Sequence, residues 1–330
     1  MFKALVLNVS GDRVTPSIQS LPVDALPEQE ILINVNYSTL NYKDALVITG
    51  EKTGRNIVSH WPMVPGIDFS GTIKDSNNIH YPVGKNVILT GWGVGERYWG
   101  GLSEKARVKG DWLVPTPEGL DNLQSMMIGT AGLTAMLCIM ALEKQGIRSQ
   151  DGEILVTGAS GGVGSTALTL LKKLGYQAVA VTGRPENEQW LKDRGAERIL
   201  LRDEFLVASR LLEKQQWAGA IDTAGNQILA KVLSQIKYGG AVAACGLASG
   251  FQLPTTVMPF ILRNIALLGI DSVMCSLSQR KIAWNRLSSL LPATYYEQTC
   301  TIVSLENVVD CAHEMMKGKI TGRIVVHLSN

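Results

Sequence analysis

The stretch Glu153–Gly175, EILVTGASGGVGSTALTLLKKLG, decides how the rest of the chain is read. Ile154, Leu155 and Val156 form a short apolar run, as a strand buried on both faces requires. Gly158, Gly161 and Gly164 follow at intervals of three. Val163, Ala167, Leu171 and Leu174 then recur at helical spacing and predict a helix with one apolar side. Strand, glycine turn and helix, in that order, form the setting of a dinucleotide-binding turn. The first glycine permits the tight bend, the second lets the backbone approach a pyrophosphate, and the third lets helix and strand pack closely. The pyrophosphate then meets free N–H groups and the positive end of the helix dipole. The alternative is a glycine-rich strand-to-helix turn that holds no ligand.

The next strand narrows the choice. Gln177–Val181 is apolar and runs into Thr182, Gly183 and Arg184. A chain that takes NAD is expected to carry Asp or Glu near this point, about 20 residues past the glycines, to hold a ribose hydroxyl. A hydroxyl, a glycine and a guanidinium stand there instead. An arginine fork matches phosphate oxygens bidentately, so the pattern favours a 2′-phosphate and hence NADPH over NADH. A solvated loop arginine is the competing reading of Arg184.

Totals bound the rest. A chain of 330 residues is expected to form two domains of ordinary size. It is 45% hydrophobic and 18% charged with a net charge of +2, which gives no footprint for nucleic acid. The longest apolar run, about 126–142, is interrupted by Gly129, Thr130, Gly132 and Thr134 and reads as a buried helix rather than a membrane span. The start, MFKALVLNVSGD, reads as strand and turn, not as a signal peptide. Cys138, Cys245, Cys275, Cys300 and Cys311 are scattered without short pairings, as in a reduced, cytoplasmic protein.

The first 125 residues alternate and are punctuated by Gly and Pro, with Ile31–Tyr37 as a clear alternating strand. From about Ser125 the texture changes to strands alternating with helices, the spacing of a doubly wound parallel sheet of about six strands. A final helix and strands, ending at Arg323–Val326, are expected to complete the first domain. The expected division is therefore 1–125 with 276–330 as one domain and 126–275 as the nucleotide-binding one. The reaction site is expected in the cleft between the two, at the carboxyl ends of the parallel strands.

Longer motifs carry a resemblance. AxGGVG in mid-chain, and Pro65–Gly71 (PGIDFSG) upstream, resemble the medium-chain dehydrogenase/reductase superfamily. LNYKDAL (40–46), LTGWGVGE (89–96), WGGLSEKARVKGDWLV (99–114) and TTVMPFILRN (255–264) resemble its acrylyl-CoA reductase branch, long grouped with NADPH quinone oxidoreductases. The resemblance spans essentially the whole chain. It implies an α/β fold, a Rossmann doubly wound parallel sheet domain plus a mainly-β GroES-like catalytic domain. It also implies NADPH as cofactor and a small-molecule substrate, a short enoyl-CoA or a quinone.

Zinc-dependent members carry a cysteine in the early loop and Gly-His-Glu after the Pro-Gly turn. Asn41-Tyr42-Lys43-Asp44 and Gly66-Ile67-Asp68 occupy those places, and no cysteine precedes Cys138. His60, His80, His313 and His327 lack neighbours at ligand spacing. No metal site is expected, so hydride transfer to an electron-poor carbon is the chemistry left open.

The resemblance also implies roles. Tyr42 is placed at the nicotinamide as a cofactor contact and candidate catalytic proton relay, or else is a packed phenol. Ser160, Gly161, Gly162 and Val163 match the pyrophosphate turn, and Thr182, Gly183 and Arg184 the 2′-phosphate pocket. Arg202 is a second candidate for the adenosine phosphate, with pairing to Glu204 as the alternative. Leu247 is expected near the nicotinamide ribose. Ile261 and Ser272 resemble backbone contacts to the nicotinamide end, or simple packing residues. Arg323 suits a phosphate or thioester, or lies at the surface. Asp44 is read as a loop tie through backbone N–H groups. The aromatics of Gly91–Trp99 suggest a pocket wall or lid.

The leading expectation is NADPH-dependent reduction of acryloyl-CoA to propanoyl-CoA. A quinone reductase and a non-catalytic NADPH-binding protein are the alternatives. A homodimer is expected through the apolar last strand of the sheet, about 265–270, and neither nucleic acid nor membrane is expected as a partner.

Overall fold

The computed structural model describes residues 1–298 and 300–328, so residues 299, 329 and 330 of the expected 276–330 segment lie outside it. In chain order the first strands and helices are β1 (Phe2–Ser10), β2 (Arg13–Leu21), β3 (Ile31–Leu40), α1 (Tyr42–Ile48), α2 (Lys52–Ile57), β4 (Asp68–Ser76), β5 (Asn86–Thr90), β6 (Lys105–Val108), β7 (Leu113–Pro115) and α3 (Asn122–Lys144). Strand and helix then alternate: β8 (Ile154–Val156), α4 (Gly162–Lys173), β9 (Ala178–Thr182), α5 (Glu188–Asp193), β10 (Ala196–Leu201), α6 (Asp203–Leu206), β11 (Trp217–Asp222), α7 (Asn226–Gln235), β12 (Ile236–Ala244), α8 (Met258–Arg263) and β13 (Ala266–Gly269). The chain closes with α9 (Leu277–Leu290), α10 (Ala293–Gln298), β14 (Cys300–Ser304), α11 (Val308–Met316) and β15 (Arg323–His327).

Two compact units result. One holds Met1–Thr130, Ser272–Ser288 and the chain from Pro292; the other holds Ala131–Asp271 and Ser289–Leu291. The second unit is built on a six-stranded sheet, order β10-β9-β8-β11-β12-β13, with every pair parallel. That order reverses between β8 and β11, which is the doubly wound arrangement. β8, β9 and β11 are buried along their whole length, which is why they read as continuous apolar runs rather than as alternating ones. α4 buries Ala167, Leu168, Leu170 and Leu171, but also Gly164, Ser165 and Thr166, so its covered face is wider than the apolar stripe in the sequence. Lys172 and Lys173 sit in its last turn, where the helix dipole favours cations.

The first unit carries the hairpin β1–β2 and a seven-stranded sheet, order β14-β15-β3-β4-β5-β7, with β6 pairing β3. Its core gathers inward-facing residues of these strands, among them Ile31, Ile33, Val35, Phe69, Val87 and Leu89, with Val308 and Ala312 of α11. α3 is long and apolar enough to cross a membrane by length and composition, yet 89% of its most apolar stretch is buried inside the protein. Gly129, at φ 52, kinks it.

A buried polar network lies at that kink. Asp68 accepts from the Thr39 hydroxyl (2.5 Å) and from the Thr130 N–H (2.8 Å). Thr39 Oγ1 in turn accepts from Asn41 Nδ2 (2.9 Å) and Arg323 Nη2 (3.1 Å), while Arg323 Nη1 donates to Asn41 Oδ1 (3.1 Å). Asp44 Oδ2 receives the Asn41 N–H (2.9 Å), and Asp44 Oδ1 receives the N–H groups of Gly66 (3.0 Å) and Ile67 (2.8 Å). Asp44 therefore caps α1 and ties it to the Pro65–Gly66 turn, the loop-tying role its place in the sequence suggests.

Two predictions follow from these contacts. A Cβ at Gly164 would stand 2.6 Å from the Gly158 carbonyl oxygen and 2.7 Å from Ala159 Cα, so Gly164→Ala must push α4 off β8. Urea unfolding should show a loss of about 2–3 kcal/mol; an unchanged midpoint would contradict the close packing. The second concerns Asp44, whose carboxyl is pushed from its ordinary 3.8 up to about 7 by burial, with the Asp68 charge adding to it and the donors at Asn41 and Ile67 opposing. Between those two values the unfolded chain has released this proton while the folded chain keeps it, so rising pH favours unfolding there and has no further effect above it. Urea unfolding of the wild type relative to Asp44→Asn should therefore lose stability as pH rises through that window. A flat difference would contradict the shift.

Candidate active site

The glycine turn sits at the carboxyl end of β8, where a doubly wound sheet presents ligands. Gly158 takes φ 59, a conformation open to glycine, and a side chain there would run into the Thr223 hydroxyl. Gly161 is the N-cap of α4, followed by Gly162 at its first position and then Val163. The first-turn N–H groups of a helix point out of its N-terminus with no carbonyl one turn earlier to receive them, which is the donor set a pyrophosphate takes. Ser160 is buried and its hydroxyl shares a 2.8 Å hydrogen bond with that of Thr182 at the end of β9. This hydroxyl pair joins the two strand ends, a link the sequence gives no sign of.

Past Thr182, exposed Gly183 leads to half-buried Arg184, whose backbone N–H donates to Thr182 Oγ1 (3.1 Å) and whose Nη2 donates to the Ser160 carbonyl (3.4 Å). Burial pushes the Arg184 guanidinium down from its ordinary value, and Glu186 pulls it back up. Arg202 crosses the open face of Gly183: a Cβ there would lie 2.8 Å from Arg202 Cζ. The side chain of Arg202 remains half exposed, 3.8 Å from Asp203 and not paired with Glu204, whose carboxylate instead accepts from the Leu201 N–H. The structure thus brings Ser160, Thr182, Gly183, Arg184 and Arg202 to one place. The cradle fits a phosphorylated ribose beside a pyrophosphate. The group to be held is anionic, and the residues present are hydroxyls, N–H groups and two guanidinia.

Asp222 closes β11 beside this turn, accepting from the Thr157 hydroxyl (2.7 Å) and the Gly225 N–H (2.7 Å). Burial pushes its carboxyl up from the ordinary value. Leu247, beyond the end of β12, is exposed, as is Ile261 on α8.

In the other unit Tyr42 opens α1. It is 41% exposed, and its hydroxyl has no hydrogen-bond partner among the described residues, so it is not the packed phenol of the alternative reading. Arg323 is buried in the polar network rather than at the surface, with both Nη atoms engaged. Ser272 is half-buried, and its carbonyl accepts from Arg280 Nη2 (3.1 Å). Of the aromatics suggested as a pocket wall or lid, Tyr98 is partly exposed and lies against Trp112 (ring centroids 4.7 Å apart), and Trp99 Nε1 donates to the Pro62 carbonyl. Among the described residues no group of three or more His, Cys, Asp or Glu is placed to hold a metal ion. Asn41 and Asp68, which the sequence showed only as substitutes at a metal motif, are members of the network around Arg323.

The alcohol dehydrogenase GroES-like domain family matches residues 27–118, and the zinc-binding dehydrogenase family matches residues 162–289. The chain is 56% identical over 327 residues to the probable acrylyl-CoA reductase AcuI of Escherichia coli, covering 99% of this chain and all of that one. It is 47% identical over 332 residues to the acrylyl-CoA reductase AcuI of Ruegeria pomeroyi, covering all of both chains. The crystal structure of E. coli YhdH with bound NADPH superposes with a TM-score of 0.96 at 56% identity, covering 99% of this chain and all of that one. On its folds, its glycine turn and these full-length likenesses, the chain belongs to the medium-chain dehydrogenase/reductase superfamily and, within it, to the acrylyl-CoA reductase branch.

Proposed function

We propose that this chain is an NADPH-dependent enoyl-thioester reductase that converts acryloyl-CoA to propanoyl-CoA without a metal ion. The observation that carries the reading is the two arginines at the end of β9, Arg202 lying over the bare backbone of Gly183 and Arg184 reaching the Ser160 carbonyl, where an NAD-selective site would present an acid. The full-length likeness to two acrylyl-CoA reductases supports the choice of substrate.

NADPH, when bound, supplies a hydride for the β-carbon of the thioester. The N-terminus of α4, with Ser160, Gly161, Gly162 and Val163, holds the pyrophosphate; Thr182, Gly183, Arg184 and Arg202 hold the 2′-phosphate. Leu247, Ile261 and Ser272 are assigned to the ribose and nicotinamide end; Arg323, read from the sequence as suited to a phosphate or thioester, is instead buried with both Nη atoms engaged and braces the Asn41 loop. Reduction leaves negative charge on the thioester oxygen and a carbanion equivalent at the α-carbon. The unengaged hydroxyl of Tyr42 is assigned to the nicotinamide and to delivery of the proton to that carbon. Asp44, two residues along the same helix, holds the Asn41 N-cap from which Tyr42 starts.

The reading extends to the whole protein: residues 1–125 with 276–330 form the catalytic domain and 126–275 the NADP-binding domain. It works in the cytoplasm as a homodimer paired through β13, one of the two edge strands of the parallel sheet, beside which Ile261 and Leu262 are exposed.

Steady-state oxidation of NADPH tests the substrate. Acryloyl-CoA should give a higher kcat/KM than any quinone in a panel; the reverse order would make the chain a quinone reductase, and tight NADPH binding without turnover would make it a non-catalytic binder. Arg184→Ala tests the cofactor pocket. Loss of a charge-assisted contact should raise KM for NADPH by about 10- to 100-fold while leaving that for NADH nearly unchanged. Equal effects on both nucleotides would remove the 2′-phosphate role.

A further inference from the structure

Arg280, on α9, is fully buried, one of the largest side chains in the protein to be so. Its Nη1 donates to the carbonyl and the hydroxyl of Thr90 (both 2.7 Å), and its Nη2 to the carbonyls of Ser272 (3.1 Å) and Val273 (3.0 Å). The guanidinium lies over the indole of Trp92, 4.9 Å from the ring centroid. Trp92 itself takes φ 58, a left-handed conformation that costs a residue with a side chain, and its N–H donates to the Val273 carbonyl (3.0 Å). Before it, Gly91 at φ 77 lies so close that a Cβ would stand 2.7 Å from Val273 O and 2.8 Å from Val273 Cα. The backbone at 272–273 is thus gripped by a guanidinium fork and by a strained turn pressed against it.

A buried guanidinium is a poor device for stability alone. Its desolvation is costly, and an apolar residue of similar volume often holds a core as well or better. What the fork adds is direction: a rigid plane with donors at fixed angles determines where the carbonyls of Thr90, Ser272 and Val273 stand relative to one another. The strain at Trp92 and the bare Gly91 serve the same segment.

We propose that Arg280, stacked on Trp92, is a positioning residue for hydride transfer, fixing the path of the Ser272–Val273 backbone. The inference rests on the assignment of Ser272 to the nicotinamide end made under Proposed function. Arg280 does not touch the reacting atoms; it sets the strand of backbone that meets the ring.

Four measurements on purified full-length protein test this: kcat with acryloyl-CoA, the kinetic isotope effect with 4-deuterated NADPH, and the Kd values of NADPH and of 2′,5′-ADP, which has no nicotinamide. Arg280→Met should lower kcat about 10- to 100-fold, raise the isotope effect and weaken NADPH, while 2′,5′-ADP binds as before. Arg280→Lys, which keeps the charge and loses the fork, should resemble Arg280→Met. Trp92→Leu should shift the same quantities in the same direction, and it carries the test if the Arg280 variants do not fold. The proposal is overturned if folded variants keep kcat, isotope effect and NADPH affinity within about twofold of wild type. It is also overturned if NADPH and 2′,5′-ADP weaken in parallel, which marks general damage. A wild type that binds NADPH no more tightly than 2′,5′-ADP and turns over no acryloyl-CoA defeats the functional reading itself, and this inference with it.

Discussion

The contact on which the rest depends is the seating of α4 against the end of β8. Gly164 lies against the Gly158 carbonyl and Ala159 Cα at distances no side chain tolerates, and this brings the positive end of the helix to the carboxyl edge of the sheet. Everything the second unit offers an anion is arranged around that point. The Ser160–Thr182 hydroxyl pair binds the turn to the end of β9, and Arg184 reaches back to the Ser160 carbonyl. Gly183 leaves the room into which Arg202 falls. In the proposed pocket, selectivity for charge would follow from backbone packing as much as from side-chain identity, because the glycines bring helix, strand and loop close together.

The first unit solves a different problem, which is to hold polar groups in place inside a core. Asp44, Asp68, Asn41, Thr39 and Arg323 bond to one another and to the backbone at the Gly66 turn and the Gly129 kink, and of their buried side-chain atoms Arg323 Nε alone has no hydrogen-bond partner among the described residues. Such a network is expensive unless every member finds partners, and when it does so it fixes one conformation of the loops it joins. Tyr42 stands at the edge of that fixed region with its hydroxyl unengaged. A rigid base with one exposed phenol is the arrangement a proton-delivering group needs.

How far the sequence discloses this depends on the range of the interaction. The β8–α4 turn, the apolar strands and the order of strand and helix are local patterns of period 2, 3.6 or 3, and they can be read without knowing what lies opposite. The exchange of an acid for Thr182-Gly183-Arg184 is likewise local, so the proposed preference for NADPH rests on a pattern visible in the chain itself. Arg323 and Arg280 are not of this kind. Each sits in an ordinary stretch, GRIVV and LSQRKIAW, and its burial depends on partners 282 and 190 residues away in sequence. In the Gly91–Trp99 loop, the positive φ of the glycines and the close approach of Gly91 and Gly95 to neighbouring backbone likewise depend on distant partners. The wider buried face of α4, which includes Ser165 and Thr166, escapes a hydropathy reading because small hydroxyl residues can be covered once their oxygens bond to the preceding helical turn.

The central claim is that a hydride from NADPH enters the β-carbon of a thioester-conjugated double bond and that the protein, not a metal ion, directs the proton that follows. Isotope tracing tests this most directly: acryloyl-CoA is reduced with 4-deuterated NADPH in ordinary water, and then with unlabelled NADPH in heavy water. The account predicts deuterium at the β-carbon of propanoyl-CoA in the first case and at the α-carbon in the second. Label at the α-carbon from the nucleotide, or no transfer from the nucleotide at all, would contradict it.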